Sequence, residues 1–259
     1  MNAGVGDAFP GVVACGHRIA GCAGDLASRT VVEVGPGPGG LTRALLATEA
    51  ARVIAIERDP RCIDALAALV EQARGRLTLV RGDALEVDLA ALADEPLVIV
   101  ANLPYNVATP LLVKWLGTPE RVSRMVLMFQ REVALRLVAA PGTGAYGRLS
   151  ALVQWLAEAE ILMHLPAGAF LPPPKVSSSL VGIEPRPRPL APAPRPAFER
   201  VLKAAFGQRR KMLRASLRTL NCPPGELCRA AGVPETARAE TLTVEDFCRL
   251  ARAYDEASR

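Results

Sequence analysis

From about residue 30 the chain alternates two hydrophobic patterns. Five short runs are apolar at nearly every position: Val31–Gly35, interrupted by Glu33, then Arg52–Glu57, Leu77–Asp83, Leu97–Ala101 and Met125–Phe129. Between them Leu41–Leu46, Ile63–Val70, Pro110–Leu116 and Val133–Val138 place apolar residues at helical spacing. Strands that are apolar on both faces and separated by helices predict a parallel sheet covered on both sides. Two further strand-like runs, Ile161–His164 and Ser178–Ile183, have no convincing helix between them and predict an antiparallel pair at one edge. The expected fold is therefore α/β, an open sheet of seven strands ending in a hairpin.

The pattern then breaks. Residues 185–196 hold six prolines in twelve positions, which neither a helix nor a central strand accepts. An extended, semi-rigid linker is expected there. Beyond it Phe198–Leu220 and Val244–Tyr254 have helical patterning, with a shorter helix near Gly225–Ala231. The predicted organisation is a sheet domain over 1–185, with residues 1–29 outside the pattern, a linker over 186–197 and a small all-helical domain over 198–259.

Composition narrows the function. Half of the 259 residues are hydrophobic but only 4% are aromatic, so the core is expected to be Ala, Val and Leu. The net charge of +5 suits a polyanionic partner without identifying one. Six cysteines form no C-x-x-C pair and no cluster of zinc spacing, which predicts free buried thiols in a reducing compartment. With only His17 and His164 present, neither a histidine triad nor a metal site is expected. No run of 18 apolar residues spans a membrane and no secretory signal opens the chain, so a cytoplasmic monomer is expected. His164, Trp115 and Trp155 are expected to serve packing alone.

The first strand runs into Val32-Glu-Val-Gly35-Pro-Gly37-Pro-Gly-Gly40. The spacing Gly35-x-Gly37-x-x-Gly40 formally matches a dinucleotide fingerprint, but the neighbours disagree with one. Glu33 would repel a pyrophosphate, and Pro36 and Pro38 remove amide donors that a phosphate would use. Acids at the other strand ends favour a different ligand. Glu57 suits ribose hydroxyls, and Asp83 an exocyclic adenine amine. Glu33, Glu57, Asp83 and Asn102 all fall where open α/β sheets bind ligands, although any one acid can instead cap the next helix. A ligand with adenine, ribose and a sulfonium but no phosphate fits such a rim, and that ligand is S-adenosylmethionine. Gly35, Gly37, Arg58 and Ala84 complete the expected cofactor set.

The fourth strand runs into Asn102-Leu103-Pro104-Tyr105. An adenine amine is a poor nucleophile because its lone pair is delocalised into the ring. The Asn102 side-chain oxygen and the Leu103 carbonyl can each accept one of its N–H groups, which favours a pyramidal nitrogen with its lone pair aimed at the methyl. Pro104 stiffens the turn and removes a competing donor, and Tyr105 is placed to stack on the base. The chemistry expected is in-line transfer assisted by positioning and electrostatics, with no strong general base.

With these residues in hand the sequence closely resembles the KsgA/RsmA family of 16S ribosomal RNA adenine dimethyltransferases. The resemblance rests on VVEVGPGPGGLT (31–42), IERDP (56–60), GDAL (82–85), NLPYNVATPLL (102–112), FQREVALRL (129–137), YGRLSALVQ (146–154), FLPPPKVSSSLV (170–181) and FGQRRKMLRASL (206–217), in the family's order over residues 30 to 254. It implies a Rossmann-like class I methyltransferase sheet. It also implies two methyl transfers to each of two adjacent adenosines in a hairpin loop near the RNA 3′ end, and a role in small-subunit assembly. By position Phe170 matches the family's second base-stacking aromatic, which would sandwich the adenine with Tyr105. The start departs from the family, which carries a Phe-Gly-Gln-Asn-Phe-Leu type segment behind a few basic residues. Here Gly6 and Phe9 fall on its Gly and second Phe, while Asp7, Ala8 and Pro10 replace Gln, Asn and Leu.

From Arg186 to Arg218 ten Lys/Arg face one acid, Glu199. A solvated helix face normally mixes signs, so Arg209, Arg210, Lys211 and Arg214 are the expected RNA contacts, with Leu202, Phe206, Leu213 and Leu217 as the apolar side of one helix. The nearest rival is a resistance-type 23S RNA methyltransferase with the same glycine loop and a similar Asn-x-Pro-Tyr motif. A rival of another class is a non-catalytic RNA-binding assembly or transcription factor on this fold. A DNA adenine methyltransferase fits less well, since no target-recognition domain is present.

Overall fold

The computed structural model of the chain describes residues 10–166, 168 and 176–258, and the backbone alone at 10–14. The chain divides into two compact units, residues 1–134 with 160–185 and residues 135–159 with 186–259.

The first unit carries the sheet. Its strands are β1 (Thr30–Val34), β2 (Arg52–Glu57), β3 (Leu77–Arg81), β4 (Leu97–Ala101), β5 (Val122–Gln130), β6 (Ala157–Leu165, which begins in the second unit) and β7 (Ser178–Pro185). The order is β3-β2-β1-β4-β5-β7-β6. β1 to β5 run parallel, and β7 is antiparallel to β5. β1 and β4 are buried along their whole length; β4 is an unbroken apolar run, and β1 carries Thr30 and Glu33 inside with its valines. Each fully buried Val, Leu or Ile there contributes about 1.5–3 kcal/mol. α1 (Pro10–Gly21) precedes β1, and between strands lie α2 (Gly40–Leu46), α3 (Pro60–Gln72), α4 (Tyr105–Trp115) and α5 (Arg131–Leu137). The chain order reverses direction across the sheet between β1 and β4, the point where open α/β sheets open a crevice beyond their carboxyl ends.

The second unit is helical: α6 (Arg148–Leu156), α7 (Arg195–Gly207), α8 (Leu213–Ser216), α9 (Pro224–Ala230) and α10 (Val244–Ala257). Aromatic residues hold it together. Trp155 stacks on Phe198 at 4.1 Å between ring centroids, and Phe206 lies 5.4 Å from Phe247.

Several expectations change here. α1 and α6 carry no counterpart in the sequence-based elements. α4 begins at Tyr105, not at Pro110: Pro104 caps it, and Pro110 sits inside the helix, where its missing amide deletes one bond without ending the run. The helix expected over 198–220 breaks into α7, α8 and a 3₁₀ turn, because the chain leaves helical geometry at Gln208. Its apolar residues stay inside: Leu202, Leu213 and Leu217 are all buried. The proline-rich stretch is extended, as its composition requires, but bound along its length. The Trp155 indole donates to the Ala191 carbonyl at 2.8 Å, the Leu190 amide to the Trp155 carbonyl at 2.8 Å, and Arg252 to the Pro192 carbonyl at 2.5 Å. It is a strap on the helical unit, which also takes in residues 135–159 from before the boundary expected at 185. Both tryptophans are buried, whereas His164 is exposed and its Nδ1 shares a hydrogen bond with the Ser179 hydroxyl. All six cysteines are free, three buried and three half-buried.

Candidate active site

The loop after β1 is shaped by Gly35, Gly37 and Gly39, all at positive φ, with Gly39 at +88° capping α2. A Cβ on Gly39 would lie 2.7 Å from Leu66 Cδ2. The glycine register is therefore 35, 37 and 39, while Gly40, counted in the fingerprint, simply opens the helix. The loop is held to its neighbour strand: the Gly35 amide donates to the Ile56 carbonyl at 3.0 Å and the Gly37 amide to Glu57 Oε2 at 3.3 Å.

Glu57 is only 8% exposed. Its Oε1 also accepts from the Arg58 and Asp59 amides at 2.8 and 2.9 Å. A carboxylate offers about four acceptor positions, so three backbone donors leave about one for a ligand hydroxyl. Asp83 Oδ1 accepts from the Leu85 amide at 2.9 Å, and its Oδ2 lies 3.4 Å from the Arg58 guanidinium. Both acids thus shape their own turns, the capping role open to any single strand-end acid, and each keeps acceptor capacity.

Glu33 differs from the expected rim. It lies inside β1 opposite Ala55 and Val100 and is 1% exposed. Burial pushes its carboxyl up to about 8; the neighbouring Thr42 hydroxyl opposes the shift and the Glu57 charge adds to it. At neutral pH the group is therefore mostly uncharged. Its Oε2 has no hydrogen-bond partner among the described residues, so a buried carboxyl oxygen stands unpartnered two residues before Gly35. These polar groups suit a nucleoside that carries an amino acid: an unpartnered buried carboxyl oxygen before the loop, a carboxylate with spare acceptor capacity at the second strand end and an acid at the third. S-adenosylmethionine fits them.

At the end of β4, Leu103 is buried and pins the turn, while Asn102 and Pro104 are exposed. The first turn of α4 closes on the Pro104 carbonyl through the Val107 and Ala108 amides at 3.0 and 3.2 Å. No hydrogen bond among the described residues engages the Asn102 side chain or the Leu103 carbonyl. Both acceptors are thus unengaged among the described residues, on neighbouring positions of the chain. Tyr105 is 36% exposed, the first residue of α4.

Two residues that sequence reasoning passed over bear on this site. Ser178 shares a 2.8 Å hydrogen bond with the Tyr105 hydroxyl. From α4, the Lys114 ammonium donates to the carbonyls of Ala84, Leu85 and Val87 at 3.1, 2.7 and 2.7 Å. It braces the turn that carries Asp83 and the buried Ala84. Lys114→Met should raise the KM for S-adenosylmethionine by roughly three- to tenfold, since the three charge-assisted hydrogen bonds that brace the turn are lost, with kcat nearly unchanged. Initial rates at varied cofactor check this, and an unchanged KM would make the brace irrelevant to the cofactor.

The chain matches the family model described as ribosomal RNA adenine dimethylase over residues 21–256. It belongs to that family. Curated relatives include a ribosomal RNA small subunit methyltransferase A from Rhodospirillum rubrum, 58% identical over 93% of this chain and 83% of that protein. The protein of the same name from Xanthobacter autotrophicus is 56% identical over 92% of this chain and 83% of that one. Among solved structures, a dimethyladenosine transferase from Plasmodium falciparum aligns with a TM-score of 0.77 at 25% identity, covering 96% of this chain and 97% of that one. The 23S rRNA methyltransferase ErmE aligns at 0.69 and 28% identity, over 93% and 97%. The class I methyltransferase sheet and S-adenosylmethionine as methyl donor follow for this ribosomal RNA adenine dimethylase.

In the helical unit, Arg210, Lys211 and Arg214 are exposed, and none pairs with an acid among the described residues. Arg209 has another task. It is half-buried, with Nε 3.0 Å from Glu240 Oε2 and Nη2 donating to the Thr143 and Gly144 carbonyls at 3.2 and 2.8 Å. Phe170 lies outside the described residues, as do Asp7 and Ala8; Pro10, the third departure from the family's start, opens α1. Among the described residues no group of three or more potential ligands could hold a metal, and no helix is long and apolar enough to cross a membrane.

Proposed function

We propose that this dimethylase transfers two methyl groups from S-adenosylmethionine to N6 of each of two adjacent adenosines in the 3′-terminal hairpin loop of 16S rRNA. Its partner is the RNA within the small subunit or its precursor, and it serves small-subunit biogenesis as a cytoplasmic monomer. The observation that carries the chemistry is the free acceptor pair, Asn102 Oδ1 and the Leu103 carbonyl, beside an exposed Tyr105. The choice of 16S over 23S RNA is supported by identity: 58% to a small-subunit enzyme against 28% to ErmE.

The bound cofactor supplies an electrophilic methyl on a sulfonium. The chain's residues do the rest. Glu57 and Asp83 orient the nucleoside end, with Arg58, Ala84, Gly35 and Gly37 lining it and Glu33 below. Asn102 and Leu103 accept the two amine N–H groups and free the nitrogen lone pair. Tyr105 stacks on the flipped base, and Phe170 is the proposed second wall. Positioning the amine and polarising it are the sources of acceleration.

RNA contact is proposed for Arg210, Lys211 and Arg214, and for a groove of about 540 Å³ lined by Arg200, Lys203 and Tyr254 among others. Replacing Arg210 and Lys211 with alanine should weaken small-subunit binding and lower its salt slope by about two, one per phosphate contact. Arg209→Ala should instead lower the melting temperature, because a half-buried Glu240 and two carbonyls lose their donor. Binding measured across salt concentrations, with melting curves, separates the two. An unaltered slope in the double variant would return that surface to ordinary solvation. Mapping modified positions by primer extension on both 16S and 23S rRNA tests the substrate: paired stops in the 16S 3′ hairpin are expected, and stops confined to 23S rRNA would replace this reading with the resistance type.

A further inference from the structure

Tyrosine in the Asn-Leu-Pro-Tyr turn poses a question that stacking does not answer. A phenylalanine ring would stack on a base as well, so the phenol hydroxyl needs another use. Its one hydrogen bond among the described residues is to Ser178 Oγ, at 2.8 Å, across 73 residues of sequence. Ser178 opens β7, sits opposite Gln130 at the carboxyl end of β5, and is fully buried. Successive strand residues point to opposite faces, and the serines divide accordingly: Ser178 meets Tyr105, while Ser179, also buried, meets His164.

We propose that Ser178 is a positioning residue that fixes the Tyr105 ring through its hydroxyl. This rests on the reading of Tyr105 as the base-stacking residue. The main chain of Tyr105 is held where α4 begins, behind the Pro104 cap. The ring remains free to turn about its two side-chain torsions unless its far end is tied. A buried serine whose rotamer is set by packing provides that tie. Stacking and in-line transfer tolerate errors of only about 10–20° in a supporting group, so a ring fixed at both ends presents one plane to the base. Ser178 therefore acts on turnover rather than on cofactor or RNA affinity, since it is fully buried and its side-chain hydrogen bond is to Tyr105.

The test is a double-mutant cycle on unmethylated small subunits with saturating S-adenosylmethionine. Ser178→Ala and Tyr105→Phe each remove one side of the same bond, and each should lower kcat by about tenfold. The double variant should lose no more than either single, since the bond can be lost only once. Ser178→Thr, which keeps the hydroxyl, should restore turnover relative to Ser178→Ala. RNA affinity and cofactor KM should change little across the set, and melting temperature should fall by no more than a few degrees where one hydroxyl loses its partner. Losses that multiply in the double variant would overturn the proposal, as would a silent Ser178→Ala. Tyr105→Ala separates the two layers. If it is severe while Ser178→Ala is silent, the stacking role stands and this proposal falls. If Tyr105→Ala is itself silent, both fall.

Discussion

Asn102→Ala is expected to cut methyl transfer by at least about 10²-fold, the scale seen when one preorganised polar partner of a developing charge is removed. The Asn102 side chain is exposed and makes no hydrogen bond among the described residues, so its loss leaves no internal partner stranded. Stability should therefore hold, and so should RNA affinity, which is assigned to the helical unit. The fall should appear in kcat, because the amide oxygen matters most as the amine nitrogen becomes pyramidal and its hydrogens acidify. Single-turnover methylation of small subunits, with binding measured alongside, checks this. Unchanged turnover would remove Asn102 from the chemistry and leave the adenine amine unassisted.

Glu57→Gln has the second large effect, on the cofactor. The wild-type carboxylate holds the amides of Gly37, Arg58 and Asp59 together. The glutamine oxygen can still serve the Arg58 and Asp59 amides, but its amino group then meets the Gly37 amide donor to donor. Both the ribose acceptor and the tie to the glycine loop are lost. Charged hydrogen bonds contribute about 1.5–3 kcal/mol, so the dissociation constant for the cofactor should rise by roughly 10- to 100-fold. Titration calorimetry with S-adenosylhomocysteine measures it directly. An unaltered constant would mean that this carboxylate only builds the turn.

The parallel part of the sheet was legible because each strand from β1 to β5 is built on a mostly apolar run between turn-forming residues. α6 was not, because Arg148–Leu156 passes directly into β6: the residue that caps the helix, Ala157, is the first of the strand, and no Gly or Pro marks the change. The break after α7 was hidden for another reason. Gly207 is a weak signal alone, and the region is tied down by Arg209 bonds to residues 31 to 66 positions away. Those same bonds turned a residue expected at the RNA into an internal clasp. Asn102 to Tyr105 could be read directly because four neighbours in sequence make one turn. Ser178 and Lys114 could not, since each earns its role from contacts that exist only once β7 and α4 have folded against their partners. Glu33 shows the limit of counting charges: it was expected on the acidic rim, but it lies inside β1, where burial leaves it mostly neutral.

The most direct test of the central claim is transfer of radiolabelled methyl from S-adenosylmethionine to small ribosomal subunits lacking the 3′-hairpin methyl groups, with large subunits in parallel. Label recovered as dimethyladenosine from the small subunit alone is the predicted result. Label on the large subunit alone, or on neither while the chain still binds RNA, would contradict it.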